Sequence, residues 1–154
     1  MKIVIDSREN SLIGVYKLNP SIKFDVKSLD VGDVWIVEED SESDKLIPII
    51  IFERKSISDL VASIKDGRYE EQGIRLAELA PIPIYYIVEG RMDPFNRQML
   101  QSAMFSISYY KGFNLLRTDD VDDTAYVISN ILSKITKDRT AGRPPIVTGK
   151  HCTL

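Results

Sequence analysis

Three charged residues, Glu53-Arg54-Lys55, close a run that is otherwise apolar from Ile47 to Phe52. In an extended strand, residues i and i+2 share a face. Glu53 and Lys55 therefore stand together, and Arg54 points the other way. A carboxylate buried at such a place is unfavourable unless it is paired or holds a metal. Other carboxylates lie within reach of a simple topology. Asp33 follows Gly32 at the start of the run Val34–Val37, and a hairpin between 33–39 and 47–55 sets Asp33 beside Glu53 at its open end. Asp6 and Glu9 close the first apolar run, in Asp6-Ser7-Arg8-Glu9. Two or three carboxylates, a lysine and a backbone carbonyl offer hard oxygens with room for water, the set that Mg²⁺ selects. A metal so held polarises a phosphodiester and generates hydroxide from bound water. The lysine would hold that water or offset the charge growing on phosphorus.

Each piece alone has a plainer account. Glu-Arg-Lys can be a solvated strand end, Asp33 a turn residue after Gly32, and Asp59 the partner of Ser56 in a capping box. The order of the whole set distinguishes it: Asp-x-Arg-Glu, then Gly-Asp, then a strand ending in Glu-Arg-Lys, then an aspartate four residues on.

The elements that must position these groups follow from periodicity. Lys2–Asp6, Phe24–Leu29, Val34–Val37 and Ile47–Phe52 read as strands, with a solvated loop over Glu38–Asp44. After Lys55 the period changes from 2 to 3.6. Ile57, Leu60, Val61 and Ile64 fall on one helical stripe, with Ser56 as N-cap and Gly67 as stop. Arg68–Ala80 predicts a second helix, Pro83–Val88 a strand, Asn96–Tyr110 a third helix and Phe113–Arg117 a last strand. Asp122 or Asp123 is placed to cap a fourth helix with Val127, Ile128, Ile131, Leu132 and Ile135 on its apolar face. Strands first, then alternation of helix and strand, predict an α/β domain: a mixed central sheet flanked by helices, antiparallel early and parallel later. Residues 1–137 form this domain, and 138–154, with Gly142, Pro144, Pro145 and Gly149, read as a flexible basic tail.

Composition narrows the function classes. The chain has 154 residues, 44% hydrophobic and 28% charged, the balance of one soluble globular domain. No apolar run reaches the ~20 residues of a membrane span, and Asp6 comes too early for a secretory signal. The single cysteine, Cys152, points to a reducing, intracellular setting, nucleus or cytoplasm. A net charge of −3 argues against coating nucleic acid by bulk charge, but acidic metal ligands lower net charge without excluding a nuclease. The only histidine, His151, lies in the tail, so a histidine base or zinc site has little to stand on. No phosphate-binding Gly-x-x-x-x-Gly-Lys-Ser/Thr loop is present. Glycoside hydrolysis would use paired carboxylates but gives no reason for Lys55 two residues after Glu53.

The ordered set resembles the XPF-type structure-specific endonucleases, a branch of the PD-(D/E)XK nuclease group. Their motif, Gly-Asp, a spacer, then Glu-Arg-Lys-x-x-x-Asp, stands here as Gly32-Asp33 and Glu53-Arg54-Lys55-Ser56-Ile57-Ser58-Asp59. Ser63–Gln72, Arg75-Leu76 and the strand ending Val88-Glu89-Gly90 also look like the family's. The resemblance implies a restriction-endonuclease-like core and Mg²⁺ or Mn²⁺ held by Asp33, Glu53 and the backbone carbonyl of Arg54, with Asp6 and Glu9 completing the acidic cluster. It implies that Lys55 positions the attacking water, that Asp59 orients Lys55 or Arg54, and that Arg8, Arg54 and Arg68 contact phosphates or tie the cluster together. Gln72 and Arg75, one turn apart, would face the same cleft and the DNA. It further implies pairing with a second copy or a related subunit through the later helices, where Phe105, Tyr109 and Tyr110 suit an interface. Members usually carry a tandem helix-hairpin-helix module after the nuclease domain, and some a helicase module before it. The reading is thus of an excised domain or a minimal stand-alone nuclease of viral or archaeal kind.

The expected activity is metal-dependent cleavage of branched DNA (3′ flaps, forks or junctions) in repair or recombination. A resolvase cutting four-way junctions symmetrically is the near alternative. A non-cleaving DNA-binding scaffold subunit is the alternative of another class, disfavoured by the intact Glu-Arg-Lys.

Overall fold

The computed structural model describes residues 1–39 and 45–143. Six strands form one mixed sheet in the order β2-β1-β3-β4-β5-β6. They are β1 (Lys2–Asp6), β2 (Phe24–Lys27), β3 (Val34–Glu39), β4 (Leu46–Ser56), β5 (Ile84–Glu89) and β6 (Asn114–Thr118). β3 runs antiparallel to both β1 and β4, whereas β1–β2, β4–β5 and β5–β6 pair in parallel. Parallel neighbours need a crossover, and helices supply it: α1 (Asn10–Lys17) after β1, α2 (Ile57–Asp66) and α3 (Arg68–Ala77) after β4, and α4 (Arg97–Tyr109) after β5. α5 (Val121–Thr140) follows β6.

The sheet is buried on both faces, which is why β4 and β5 read as nearly continuous apolar runs rather than alternating ones. α1 and α5 cover one face over Ile3, Ile5, Leu12, Tyr16, Phe52, Ile87 and Ile128. α2, α3 and α4 cover the other over Ile51, Leu60, Leu76, Tyr86, Val88, Leu100 and Ile107. Successive β4 residues alternate between these two cores, Ile51 on one side and Phe52 on the other. The parity continues into the charged end. Glu53 and Lys55 follow Ile51 toward the α2–α4 side, and Arg54 follows Phe52 toward α1 and α5.

Several expectations change, among them the end of β2, which falls at Lys27 rather than Leu29. α1 is absent from the sequence reading, which assigns no element between Asp6 and Phe24. It is an eight-residue helix burying Leu12, Ile13 and Tyr16, with Gly14 in its middle. Its presence makes β1 and β2 parallel, where the first strands were expected to be antiparallel. α3 ends at Ala77 rather than Ala80. α5 is capped by Asp120, not by Asp122 or Asp123: the Asp120 carboxylate accepts the Asp123 N–H at 2.8 Å. α5 also runs to Thr140, so residues 138–140, expected in the tail, are helical, and Arg139 pairs with Glu38. Lys150, His151 and Cys152 lie outside the described residues, as does the loop over 40–44; Glu38 and Glu39 belong to β3.

Candidate active site

β1, β4, β5 and β6 all end at the same border of the sheet, and the charged motifs sit on those ends. Gly32 makes the approach of Asp33 possible. Its φ is +73°, and a Cβ there would lie 2.5 Å from the Ile51 side chain, so both the backbone conformation and the space require glycine. Asp33 then enters opposite Glu53, because the β3–β4 ladder begins with Val34 facing Phe52. Three contacts pin it. Its N–H donates to the Phe52 carbonyl at 2.8 Å, its carbonyl accepts the Asp6 N–H at 2.9 Å, and its Oδ2 accepts the Arg54 N–H at 2.7 Å. The hairpin expectation for Asp33 and Glu53 therefore holds.

Glu53 is 7% exposed. Its countercharge is Lys55, with Nζ 3.8 Å from Oε1. Burial raises the pKa of both Asp33 and Glu53. The charges of Glu53 and Glu9 push Asp33 further up, while Lys55 opposes the shift at Glu53. Without a bound cation the doubly charged form of the pair is thus disfavoured. Together they line a cleft of about 380 Å³ with Glu9, Lys55, Asp59, Arg8, Arg68, Gln72 and Arg75.

Arg54, on the other face, is surrounded by acids. Its Nε and Nη2 donate to the two oxygens of Glu89 at 2.9 and 2.7 Å, and its Nη1 donates to Glu9 Oε2 at 2.8 Å. The Arg54 side chain thus ties the cluster together. Glu89 is 8% exposed. Burial alone would raise its pKa, but the bonds from Arg54 and Thr124 hold it below the usual carboxylate range. Sequence reasoning missed Glu89 as a site residue. The available signal was its place: it ends an apolar strand, as Glu53 does.

Two expected roles are not what the structure holds. Asp6 is 1% exposed and does not line the cleft. Its Oδ1 accepts the Leu29 N–H at 2.9 Å, and its Oδ2 accepts Arg8 Nε at 2.7 Å and the Arg8 N–H at 3.3 Å. Burial works against its ionisation, but these bonds prevail and keep its pKa low. Three donors already converge on its two oxygens, so it braces the turn after β1 and stands outside the cleft lining. Asp59 is exposed, and among the described residues its carboxylate makes no hydrogen bond or ion pair with Lys55 or Arg54. Its N–H caps α2 on Ser56 Oγ at 3.1 Å, so the capping account stands for its backbone. Arg68 pairs with Asp66 at 2.7 Å, and Arg75 reaches the Asp30 carbonyl at 2.8 Å from α3 across the cleft wall.

Among the described residues no three His, Cys, Asp or Glu side chains converge as a metal cage. Mg²⁺ seldom uses one; it takes one or two carboxylates and keeps several waters. The donor set fits that habit: Asp33 and Glu53 meet at the cleft beside Lys55.

The model of the ERCC4 domain matches residues 5–131. The chain belongs to the ERCC4-domain family. The family is that of the XPF-type nucleases whose motifs the sequence resembles. The curated relatives include the crossover junction endonuclease MUS81 of Oryza sativa subsp. japonica, 29% identical over 143 residues that make 88% of this chain and 22% of that protein. MUS81 of Debaryomyces hansenii is 35% identical over 127 residues, 78% of this chain and 19% of that one. This chain therefore spans about a fifth of the length of these relatives. Among solved structures, XPF from Aeropyrum pernix superposes with a TM-score of 0.71 at 28% identity, covering 92% of this chain and 68% of that one. Its complex with DNA gives 0.70 at 31% identity, covering 88% and 65%. The likeness supports the fold of this ERCC4 domain as the expected restriction-endonuclease-like core.

Proposed function

We propose that this ERCC4 domain is a Mg²⁺- or Mn²⁺-dependent endonuclease that hydrolyses phosphodiester bonds in branched DNA: 3′ flaps, forks or four-way junctions. The observation that carries this is the Asp33–Glu53 pair, two neighbouring carboxylates lining the cleft, with Glu53 buried and the Lys55 ammonium 3.8 Å from it. Asp33, Glu53 and the Arg54 carbonyl would hold the ion. When bound, it supplies Lewis-acid polarisation of the phosphate and a water of lowered pKa. The chain supplies the rest. Lys55, 11% exposed and fixed beside Glu53, is placed to orient a water and to offset charge at a phosphate oxygen. Arg8 and Arg68, largely exposed on the cleft rim, meet flanking phosphates. Gln72 and Arg75 face the same cleft, as the spacing on α3 predicts.

The relatives' names, crossover junction endonuclease, and the DNA complex of the XPF structure support branched DNA as the substrate class. The test is cleavage of end-labelled flap, fork and junction DNA with Mg²⁺, with Glu53→Gln and Asp33→Asn in parallel. Nicks near a branch point that vanish in both variants are expected. Cutting that survives in both removes the assigned site, and DNA binding without nicks at any Mg²⁺ or Mn²⁺ concentration favours a scaffold role.

Pairing with a second copy or a related subunit belongs to the same proposal. Phe105, Tyr109 and Tyr110 at the end of α4 are 57%, 69% and 75% exposed. They pack on one another, with Phe105 and Tyr109 stacked at 5.1 Å. Light scattering should give a dimer that Phe105→Ser with Tyr109→Ser converts to monomer. A monomeric wild type would leave a related subunit as the partner.

A further inference from the structure

On the face of β4 away from the acid pair, the Arg54 side chain ends in a network that the chemistry above does not use. Its fork meets Glu89 at two points, 2.9 and 2.7 Å. Glu89 Oε1 also accepts the Thr124 hydroxyl at 2.6 Å. Thr124 Oγ1 lies 2.7 Å from Thr118 Oγ1. A hydroxyl carries one proton, and that of Thr124 goes to Glu89, so Thr118 must donate to Thr124. Glu89, Thr118 and Thr124 are all buried. The chain of bonds thus runs from β4 through the end of β5 to the first turn of α5 and the end of β6. A two-point arginine–carboxylate contact fixes the guanidinium plane as well as its position, and the two threonines fix the carboxylate.

The main chain of the same arginine stands at the acid pair. Its N–H donates to Asp33 Oδ2 at 2.7 Å. In a strand the N–H and C=O of one residue leave at the same edge. The Arg54 carbonyl is therefore aimed at the Asp33 side, beyond the point where the β3–β4 ladder ends at Val34 and Phe52. One residue joins the two systems: its side chain is clamped on one face, and its peptide groups sit among the candidate ligands.

We infer that Glu89 and Thr124 are positioning residues for the divalent cation. By locking the Arg54 side chain they hold its carbonyl and N–H in register with Asp33 and Glu53. The inference rests on the metal-site reading above. Groups that orient a ligand without touching the ion commonly change metal affinity or activity by about 10–100-fold when altered. A purely structural role for Glu89 would lower stability and leave the affinity of the folded protein alone.

Mn²⁺ binding to the DNA-free chain, measured by calorimetry, separates the two. Glu89→Gln keeps the shape and removes the charge, and should weaken Mn²⁺ about 10-fold or more. Thr124→Val should weaken it about threefold, in the same direction, and Thr124→Ser, which keeps the hydroxyl, should restore it. Urea unfolding of each variant reports stability separately. If Glu89→Gln does not fold, the Thr124 pair decides. Wild-type Mn²⁺ affinity in folded Glu89→Gln, or in Thr124→Val, overturns the positioning role alone. A wild type that binds no Mn²⁺ overturns the metal site, and this inference with it.

Discussion

The two faces of β4 at its charged end are built on opposite principles. On the Glu53–Lys55 face, the buried Glu53 and the half-buried Asp33 have one ammonium, 3.8 Å from Glu53, and open to a cleft. On the Arg54 face, the guanidinium has two acids, both within 2.8 Å, and one of those is itself bonded to a threonine. The first face is under-compensated and the second over-determined, though they are separated by one peptide. The contrast shows where an electrostatically unfavourable site can persist in a folded domain: beside a network whose geometry it cannot distort.

Removing a charge from the under-compensated face should have the largest effect on turnover. Glu53→Gln should slow flap or junction cleavage by about 10³-fold, the scale of losing a principal electrostatic contact in the transition state. Single-turnover assays at saturating Mg²⁺ measure it. Retention of more than a tenth of wild-type rate would mean that the two faces do not differ in function as the contrast requires.

The opposite face should respond in stability. Arg54→Met leaves Glu89 buried without its partner, and breaking a buried pair in this way costs about 3–5 kcal/mol. Urea denaturation gives the number. Adding Glu89→Leu should recover much of the loss, because the destabilisation comes from the stranded charge and not from a missing attraction. An Arg54→Met loss below about 1 kcal/mol, the range of exposed pairs, would show that water reaches this network.

Lys55→Met sharpens the comparison within the first face. The ammonium is placed for a water or a phosphate oxygen rather than for holding the ion. Cleavage should therefore fall about 10²-fold, while Mn²⁺ affinity in the absence of DNA should hold or rise as a positive neighbour is removed. Weaker Mn²⁺ binding would instead make Lys55 a structural brace of Glu53.

How much of this was legible in the sequence differs between the faces. Glu53 and Lys55 were readable because strand parity puts them together, and Asp33 because a hairpin brings its open ends together. Both arguments need only neighbours along the chain or across one ladder. The Arg54 network joins β1, β5 and α5, so its partners are set by strand order, which periodicity does not reveal. Glu89 carried the same signal as Glu53, a charge closing an apolar strand, but its partner lay 35 residues away. Asp6 was read as facing the cleft because sequence proximity says nothing about which donors occupy a carboxylate. The Leu29 N–H that claims one oxygen lies just past the end of β2, where the sequence pattern predicts that the strand continues. α1 escaped because eight residues with a central glycine give barely two turns of pattern. Asp120 was passed over as the α5 cap because Asp119, Asp120, Asp122 and Asp123 all suit the role, and only the local backbone selects one.

The smallest expected effect is also the most direct measure of the imbalance. Asp33→Asn keeps an oxygen to accept the Arg54 N–H and removes one of the two crowded charges. In the absence of metal it should stabilise the domain by about 1 kcal/mol, or about 2–4 °C in Tm for a chain of this size. The sign follows from proton binding. The folded-state pKa of Asp33 lies above its ordinary value, so the native state holds its proton over a pH range where the unfolded chain has lost it. Stability linked to this group is complete at acid pH and falls as pH rises from the ordinary carboxylate range toward neutrality and beyond. The advantage of Asp33→Asn over wild type should therefore be absent near pH 4 and grow as pH increases. Mg²⁺ should reverse the order at alkaline pH, because only the wild type gains from binding. Thermal melts at three pH values, with Mg²⁺ and with chelator, would reveal the crossing. Wild-type melting that exceeds the variant's at every pH in chelator would show that the acid pair is already balanced by the protein and has no need of a cation.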